Sequence, residues 1–512
     1  MKNNQNGITL VALVITIIIL LILAGISISN LTGNGLFGKV QDAKVADQVG
    51  KIQEGINLWK MEHEMSKYTE MNTRDLETFL QDLVEDKLLT EEQVNEVLSS
   101  ERKEIEIGGK TLSFLGTLRI TDTADTKPSQ AMPTGAIVIE NNASKGIVIE
   151  DKNGNEWTWV EVPKTKVFTT ATGADQYDNI KANLISYATD YRENNYIDEW
   201  YDYYGTIYDG MNQYSQVKYI TSSDTFTNAK NYYGTIYTDK GITEETEYVS
   251  GTKYYADITE KLTDTSGCGL TFNDYQINYQ KMLSSVYTNG GFWISRYEIG
   301  DSTATKNNET RTSSSGTTGT AVSQANQIPY NWVTCSQAQI LASGMSTDIS
   351  KTTGLLFGIQ WDLTCKFIEE KTDLEVADIN SDSTSWGNYK NSSLTLNRGK
   401  YNIKPSNSTS VWTLYTTDTE SYITNKQTSN DESYYQLLTT GASEDTNKMN
   451  IYDFAGNVSE WTLEYDAVWA GNPCVYRGGS FHSNGSNSSA SIRYMNNTEH
   501  SFYNIGFHAT LY

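Results

Sequence analysis

Chemistry in a protein needs nucleophiles, metal ligands or acid–base pairs, and here the candidates are few. Four cysteines, Cys268, Cys335, Cys365 and Cys474, stand far apart in the chain, with no C-x-x-C and no zinc-ligand spacing. Cys335 and Cys365 both fall in helix-like segments and form one candidate pair. Four cysteines in so long a chain are not a disulfide scaffold, so buried free thiols are the simpler expectation. Of the four histidines, His63 lies in a stalk-like segment, while His482, His500 and His508 crowd the C-terminus. A facial set of two imidazoles and one carboxylate is open to these three as a metal-binding arrangement. No G-x-S-x-G, phosphate loop or H-E-x-x-H occurs.

Two glycine-bearing motifs have defined physical uses. In YDFAGNVSEW (452–461), Gly456 permits a tight turn, Trp461 supplies a buried anchor, and Glu460 turns a carboxylate toward a backbone loop. The plain reading is that Asp453 caps a turn and Glu460 pairs with a base such as Arg477. In VYRGGSF (475–481), paired glycines allow close backbone approach, and Arg477 can fork to carbonyls or a carboxylate. Between that motif and the final IGFHATLY, residues 482–504 hold Asn, Ser, His or Tyr at 15 of 23 positions. Such residues give adaptable contacts when mounted on a rigid frame.

The elements that must position these residues follow from composition and pattern. A chain of 512 residues has room for two or three domains. Aromatics make up 11% of it and Tyr alone contributes 34 residues, a composition suited to loop-rich folds and binding surfaces. The formal charge of −24 excludes nucleic acid and anionic lipid as natural partners.

Residues Ile8–Ser29 carry no charge, and none occurs between Lys2 and Lys39. At about 1.5 Å per residue this run spans roughly 33 Å, which matches a bilayer core and exceeds a cleavable signal's apolar stretch. The segment MKNNQNG-ITLVALVITIII resembles the N-terminus of type IV prepilins and pseudopilins. The resemblance implies a leader over 1–7 cut between Gly7 and Ile8. At the fifth mature position, where that family usually has Glu, this chain has Ala12. With Lys2 inside, the bulk of the chain faces outward.

After the membrane segment, Val40, Val45, Val49, Ile52, Ile56 and Trp59 recur near helical spacing over 39–65. Two short helices follow, from Thr73 and from Thr90, where T-E-E-Q fits a capping box. These define a helical stalk over 30–100. A β-rich connector over 101–131 precedes the head, 132–512, which contains a Tyr-rich insertion at about 168–285.

Within the head, NEWTWVEVP (155–163), GGFWISRYEIG (290–300), PYNWVTCSQAQILA (329–342), GIQWDLTCKFIEEK (358–371), NIYDFAGNVSEWT (450–462), VYRGGSF and IGFHATLY occur in order. Together they resemble the formylglycine-generating enzymes, or sulfatase-modifying factor domains, a variant of the C-type lectin fold. The implied fold class is α+β: an N-terminal transmembrane and stalk helix, then a mixed lectin-like domain with large loop insertions. The resemblance also implies a structural calcium ion, held by a side-chain oxygen of Asp453, backbone oxygens of Gly456 and Val458, and the Glu460 carboxylate. It implies catalytic cysteines between RGGS and GF, and this chain has none there. Residues 482–504 further resemble the diversified segment of retroelement-targeted lectin-fold proteins.

The expected function is therefore a single-pass, membrane-anchored binding or adhesion protein, not an enzyme, with its head outside the cell and a protein or glycan ligand. Phe481, His482, Tyr494, Asn496, Asn497, His500 and Tyr503 are the candidate contact residues. A second reading is a minor pilin or pseudopilin among pilus-like subunits. A third is a metal-dependent oxidoreductase.

Overall fold

The computed structural model describes residues 36–66, 74–100, 102–116, 118–169, 177–192, 217–220, 236–238, 241–242, 254–257, 267–270, 272–304, 318–403, 411–415, 422–424, 436–466 and 472–512. The leader pair Gly7 and Ile8, and the apolar run Ile8–Ser29, lie outside them. Among the described residues no helix is long and apolar enough to cross a membrane. Two compact units are present, Met1–Arg119 and Ile120–Tyr512.

In the first unit, α1 (Leu36–Ser66) buries Val49, Ile52, Ile56 and Trp59, one stripe of a 3.6-residue period. Helix α2 (Leu76–Glu85) starts at Asp75, whose carboxylate accepts the Thr78 N–H at 2.7 Å. The reciprocal Thr90–Gln93 capping box opens α3 (Glu91–Ser99). Trp59 stacks on Phe79 at 4.4 Å and donates its indole N–H to the Arg74 carbonyl. The hairpin of β1 (Glu104–Ile107) and β2 (Lys110–Ser113) turns through Gly108 and Gly109, both at positive φ. Its Ile105, Ile107 and Leu112, with Phe114, complete this core. The expected connector over 101–131 is therefore divided: the hairpin belongs to the helical unit, because its apolar face is buried against the helices' apolar stripes.

The second unit is built on a six-stranded sheet. Its first three strands are β3 (Ile137–Asn142), β4 (Gly146–Glu150) and β5 (Glu156–Glu161). Helix α4 (Tyr177–Tyr187) and helix α5 (Phe272–Asn289) precede the central strand β6 (Gly291–Ser295). Then come α6 (Cys335–Ser343), β7 (Thr353–Leu355) and α7 (Gly358–Lys371). A second, four-stranded sheet holds β8 (Ser459–Tyr465), β9 (Cys474–Arg477), β10 (Arg493–Asn496) and β11 (Ile505–Gly506), before the last strand β12 (Ala509–Leu511). The six strands run in the order β7-β12-β6-β5-β4-β3, and the four in the order β10-β9-β8-β11.

Strand β6 pairs antiparallel with β5, setting Trp293 opposite Trp159 with ring centroids 5.0 Å apart. The chain's last strand pairs with β6 on its other side, so the C-terminal motif and NEWTWVEVP flank the central strand; NEWTWVEVP is the third strand of the sheet and not its opening one. The insertion is narrower than 168–285. Helix α4 buries Ile180 and Leu184, and α5 buries Tyr275, Tyr279, Met282, Leu283 and Val286, so both ends belong to the packed unit. Between them the described pieces Val217–Ile220, Ile236–Thr238, Gly241–Ile242 and Tyr254–Asp257 form a small antiparallel sheet.

Candidate functional site

Three sets of side chains converge around β8, β9 and the C-terminal segment. The first lies in the loop before β8. Asn450, Asp453, Gly456 and Asn457 all take positive φ, a conformation that Asn, Asp and Gly reach most readily. At Gly456 a side chain would also strike the Asn388 backbone, with Cβ 2.4 Å from its carbonyl oxygen. Asp453 accepts the Gly441 N–H at 2.6 Å and the Thr446 hydroxyl at 2.9 Å. Asn457 donates to Glu298 at 2.6 Å, and the Val458 N–H donates to the same carboxylate at 2.9 Å.

Glu460 meets His508, Nδ1 to Oε2, at 2.7 Å. It is therefore not paired with Arg477: the expected basic partner is replaced by one from the chain's end, because β8 lies beside β11. Glu460 Oε1 and His508 Nε2 are buried with no protein partner. Burial, then the nearby Asp453 and Glu460, push the Glu298 carboxyl well above its usual range. Burial also raises Asp453 and Glu460, the latter against the opposing pull of His508. The buried interior thus gathers three carboxyl groups and one imidazole.

A second set is a buried ion network. Arg477 Nη1 meets Glu464 at 2.9 Å, its Nη2 meets Asp362 at 2.8 Å, and its Nε donates to the Ser491 and Ile492 carbonyls. Arg493 bridges the same two carboxylates at 2.8 Å and 3.0 Å, and Arg192 reaches Asp362 at 2.9 Å. Arg477 therefore binds both carbonyls and carboxylates. The guanidinium also lies 5.5 Å over the Trp361 ring. Burial pushes the Asp362 carboxyl up, and the three guanidiniums, Arg493 foremost, reverse this and hold it below its ordinary range.

The third set is the C-terminal segment. Phe481 is wholly buried and Tyr503 nearly so; both belong to a small core with Leu437 and Val458. Both were expected as contact residues, and here they form the support beneath the surface, because the paired glycines of RGGSF turn the chain inward. Tyr494, Asn496, His482 and His500 are half-buried, and Asn497 is exposed. Tyr494 stacks on Tyr476 at 5.8 Å and bonds the Asn487 carbonyl. His500 stacks on Phe502 at 5.8 Å and meets Trp461 edge-on. Phe502, 40% exposed, contacts Trp332 and Tyr503.

Trp332 holds a φ of 59°, unusual for a bulky residue and fixed by its N–H bond to the Phe502 carbonyl. Tyr476, Phe502 and Trp332 escaped the sequence reading. Phe502 had a signal, lying between candidates His500 and Tyr503, while Trp332 is distant in sequence. The three C-terminal histidines do not converge: His508 is buried against Glu460, His500 lies on Phe502, and His482 meets the edge of Tyr503. Among the described residues, no group of three or more His, Cys, Asp or Glu is placed to hold a metal ion. The side chain of His63 lies outside the described ones.

Residues 275–510 match the family model of the sulfatase-modifying factor enzyme 1-like domain. One solved structure, "Crystal Structure of CarF", is similar at 14% identity over 43% of this chain and 85% of that one, with a TM-score of 0.26. No curated protein matches the chain.

Proposed function

From the presence of a sulfatase-modifying factor enzyme 1-like domain at 275–510, we propose a membrane-anchored cell-surface protein whose head binds an extracellular protein or glycan without performing the enzymatic chemistry of that family. One observation carries this reading: residues 481–504 contain no thiol, yet supply half-exposed rings seated on buried Trp461 and Tyr503. Rigid aromatic rings on a fixed base are the usual source of contact energy at interfaces. The Ile8–Ser29 segment supplies the anchor. The prepilin-like leader around Gly7 and Ile8 favours, as a second reading, a minor subunit of a pilus-like filament.

The reading is tested by incubating the full chain with a sulfatase-type cysteine peptide, copper and oxygen. The peptide should keep its thiol, with no aldehyde product detectable by mass spectrometry. Turnover would overturn the non-enzymatic assignment.

Calcium remains part of this proposal. The loop offers a hard cation one buried Glu460 oxygen without a protein partner, and the Asp453 and Glu298 carboxyls, held up by burial, would ionise on binding it. Asp453, Glu460 and the Gly456 and Val458 carbonyls would hold it. Both Asp453 oxygens already accept hydrogen bonds, so this residue would share its lone pairs. Calcium bound only to the native state adds about 2.7 kcal/mol at 100 times its dissociation constant. Thermal melts in millimolar calcium and in chelator should accordingly differ by several degrees. Superimposable melts would leave Glu460–His508 as a structural pair alone.

A further inference from the structure

Three of the four cysteines come together although they are far apart in sequence. Cys335 opens α6, just inside its Thr334 cap, and its thiol donates to the Thr462 carbonyl at 3.6 Å. Thr462 in turn bonds the Val475 carbonyl, one residue from Cys474. The Cys474 thiol donates to the Gly267 carbonyl at 3.7 Å, in the turn 267–270 that carries Cys268. That turn is pressed on the start of α6: a Cβ at Gly269 would lie 2.7 Å from the Ser336 carbonyl oxygen. All three thiols are buried. Cys365 lies elsewhere, on α7 near Asp362 and the Arg477 guanidinium, so the thiol neighbour of Cys335 is Cys474 and not Cys365.

We propose that Cys335 and Cys474 are a redox pair that closes to a disulfide, tying the start of α6 to the strand leading into RGGSF. The reaction is thiol–disulfide exchange with a small-molecule disulfide. One protein thiolate attacks that disulfide, forms a mixed disulfide and releases one small thiol. The second protein thiolate then attacks the protein sulfur of the mixed species and releases the other. The two protein sulfurs give up two electrons and two protons, which the small disulfide takes up as it becomes two thiols.

The adjacent Cys474 thiol, and then burial, hold the Cys335 thiol well above its usual range. The buried thiol pair is therefore slow to react, and exchange waits on opening of the turn 267–270. Cys474 pairs with Asn496 across the β9–β10 ladder, and Tyr476, two residues on, carries Tyr494. A bridge at Cys474 would stiffen the strand beneath those rings. This chemistry stands or falls independently of the binding function.

The test uses the full chain, incubated with oxidised or reduced glutathione, denatured, alkylated and mapped by mass spectrometry. Oxidation should give a linked Cys335–Cys474 peptide, two hydrogens lighter, while Cys365 stays alkylatable. Cys365→Ala should keep the bridge and Cys335→Ser should abolish it. The mapping of the unmodified chain decides the matter even if Cys335→Ser misfolds. Four alkylatable thiols after oxidation, or a bridge involving Cys268 or Cys365, would overturn the proposal.

Discussion

Asp362→Asn should destabilise the head by about 3–5 kcal/mol, the usual cost of removing one partner from a buried charge set. The substitution keeps the shape but leaves Arg477 and Arg493 with Glu464 as their acid in this network and takes the Asp362 carboxylate from Arg192. Arg477→Met should act similarly, because Glu464 and Asp362 then depend on Arg493 and Arg192. By contrast, breaking the half-exposed Lys166–Glu370 pair should cost under about 1 kcal/mol. Urea unfolding at neutral pH measures all three. The pH dependence has a definite sign. Asp362 is held below its unfolded value, so its contribution is present above roughly pH 4 and lost as pH falls through the folded value. The variant should lack that part of the acid limb. Equal stability of Asp362→Asn and the parent would refute the network as a structural keystone.

Loss of binding is the second large effect expected. For a ligand captured on a protein or glycan array, Tyr494→Ala and Phe502→Ala should each raise Kd at least about tenfold, the scale of interface hot spots. Tyr494 is braced by Tyr476, Ser488 and the Asn487 carbonyl, and Phe502 lies between His500 and Trp332. Both rings thus lose little freedom on binding. Asn497→Ala should matter less, because this exposed side chain already accepts the Glu499 N–H in its own turn. Phe481→Ala belongs to a different class: it opens a cavity at a wholly buried site and should lower stability before affinity. Unchanged Kd in both Tyr494→Ala and Phe502→Ala would place the ligand surface elsewhere.

What the sequence made legible was local. The Thr90 capping box, the stripe from Val49 to Trp59 and the Gly456 turn follow from spacing and residue type, and each forms as expected. That GGFWISRYEIG forms a strand was legible in its apolar run, whereas its pairing with NEWTWVEVP is seen only in the fold. Partner choice across the core was not legible. Glu460 and Arg477 are register partners on β8 and β9, yet Glu460 turns to His508 while Arg477 reaches Asp362 on α7 and Glu464 further along β8. Such choices depend on which helix covers a sheet face, which no short-range pattern encodes. Phe481 was misread for a related reason. A polar, Asn- and Ser-rich segment suggests exposure, but its first aromatic residue follows two left-handed glycines that turn it inward. The meeting of Cys335 with Cys474 is likewise a product of tertiary packing.

Every binding prediction rests on display of the head outside the membrane, so the most direct measurement is protease treatment of intact cells bearing the full chain. Mass spectrometry would then sort peptides between the medium and the membrane fraction. Peptides from 120–512 should appear in the medium, while the segment containing Ile8–Ser29 stays with the membrane. Full protection of the head on intact cells, with cleavage only after lysis, would contradict the account.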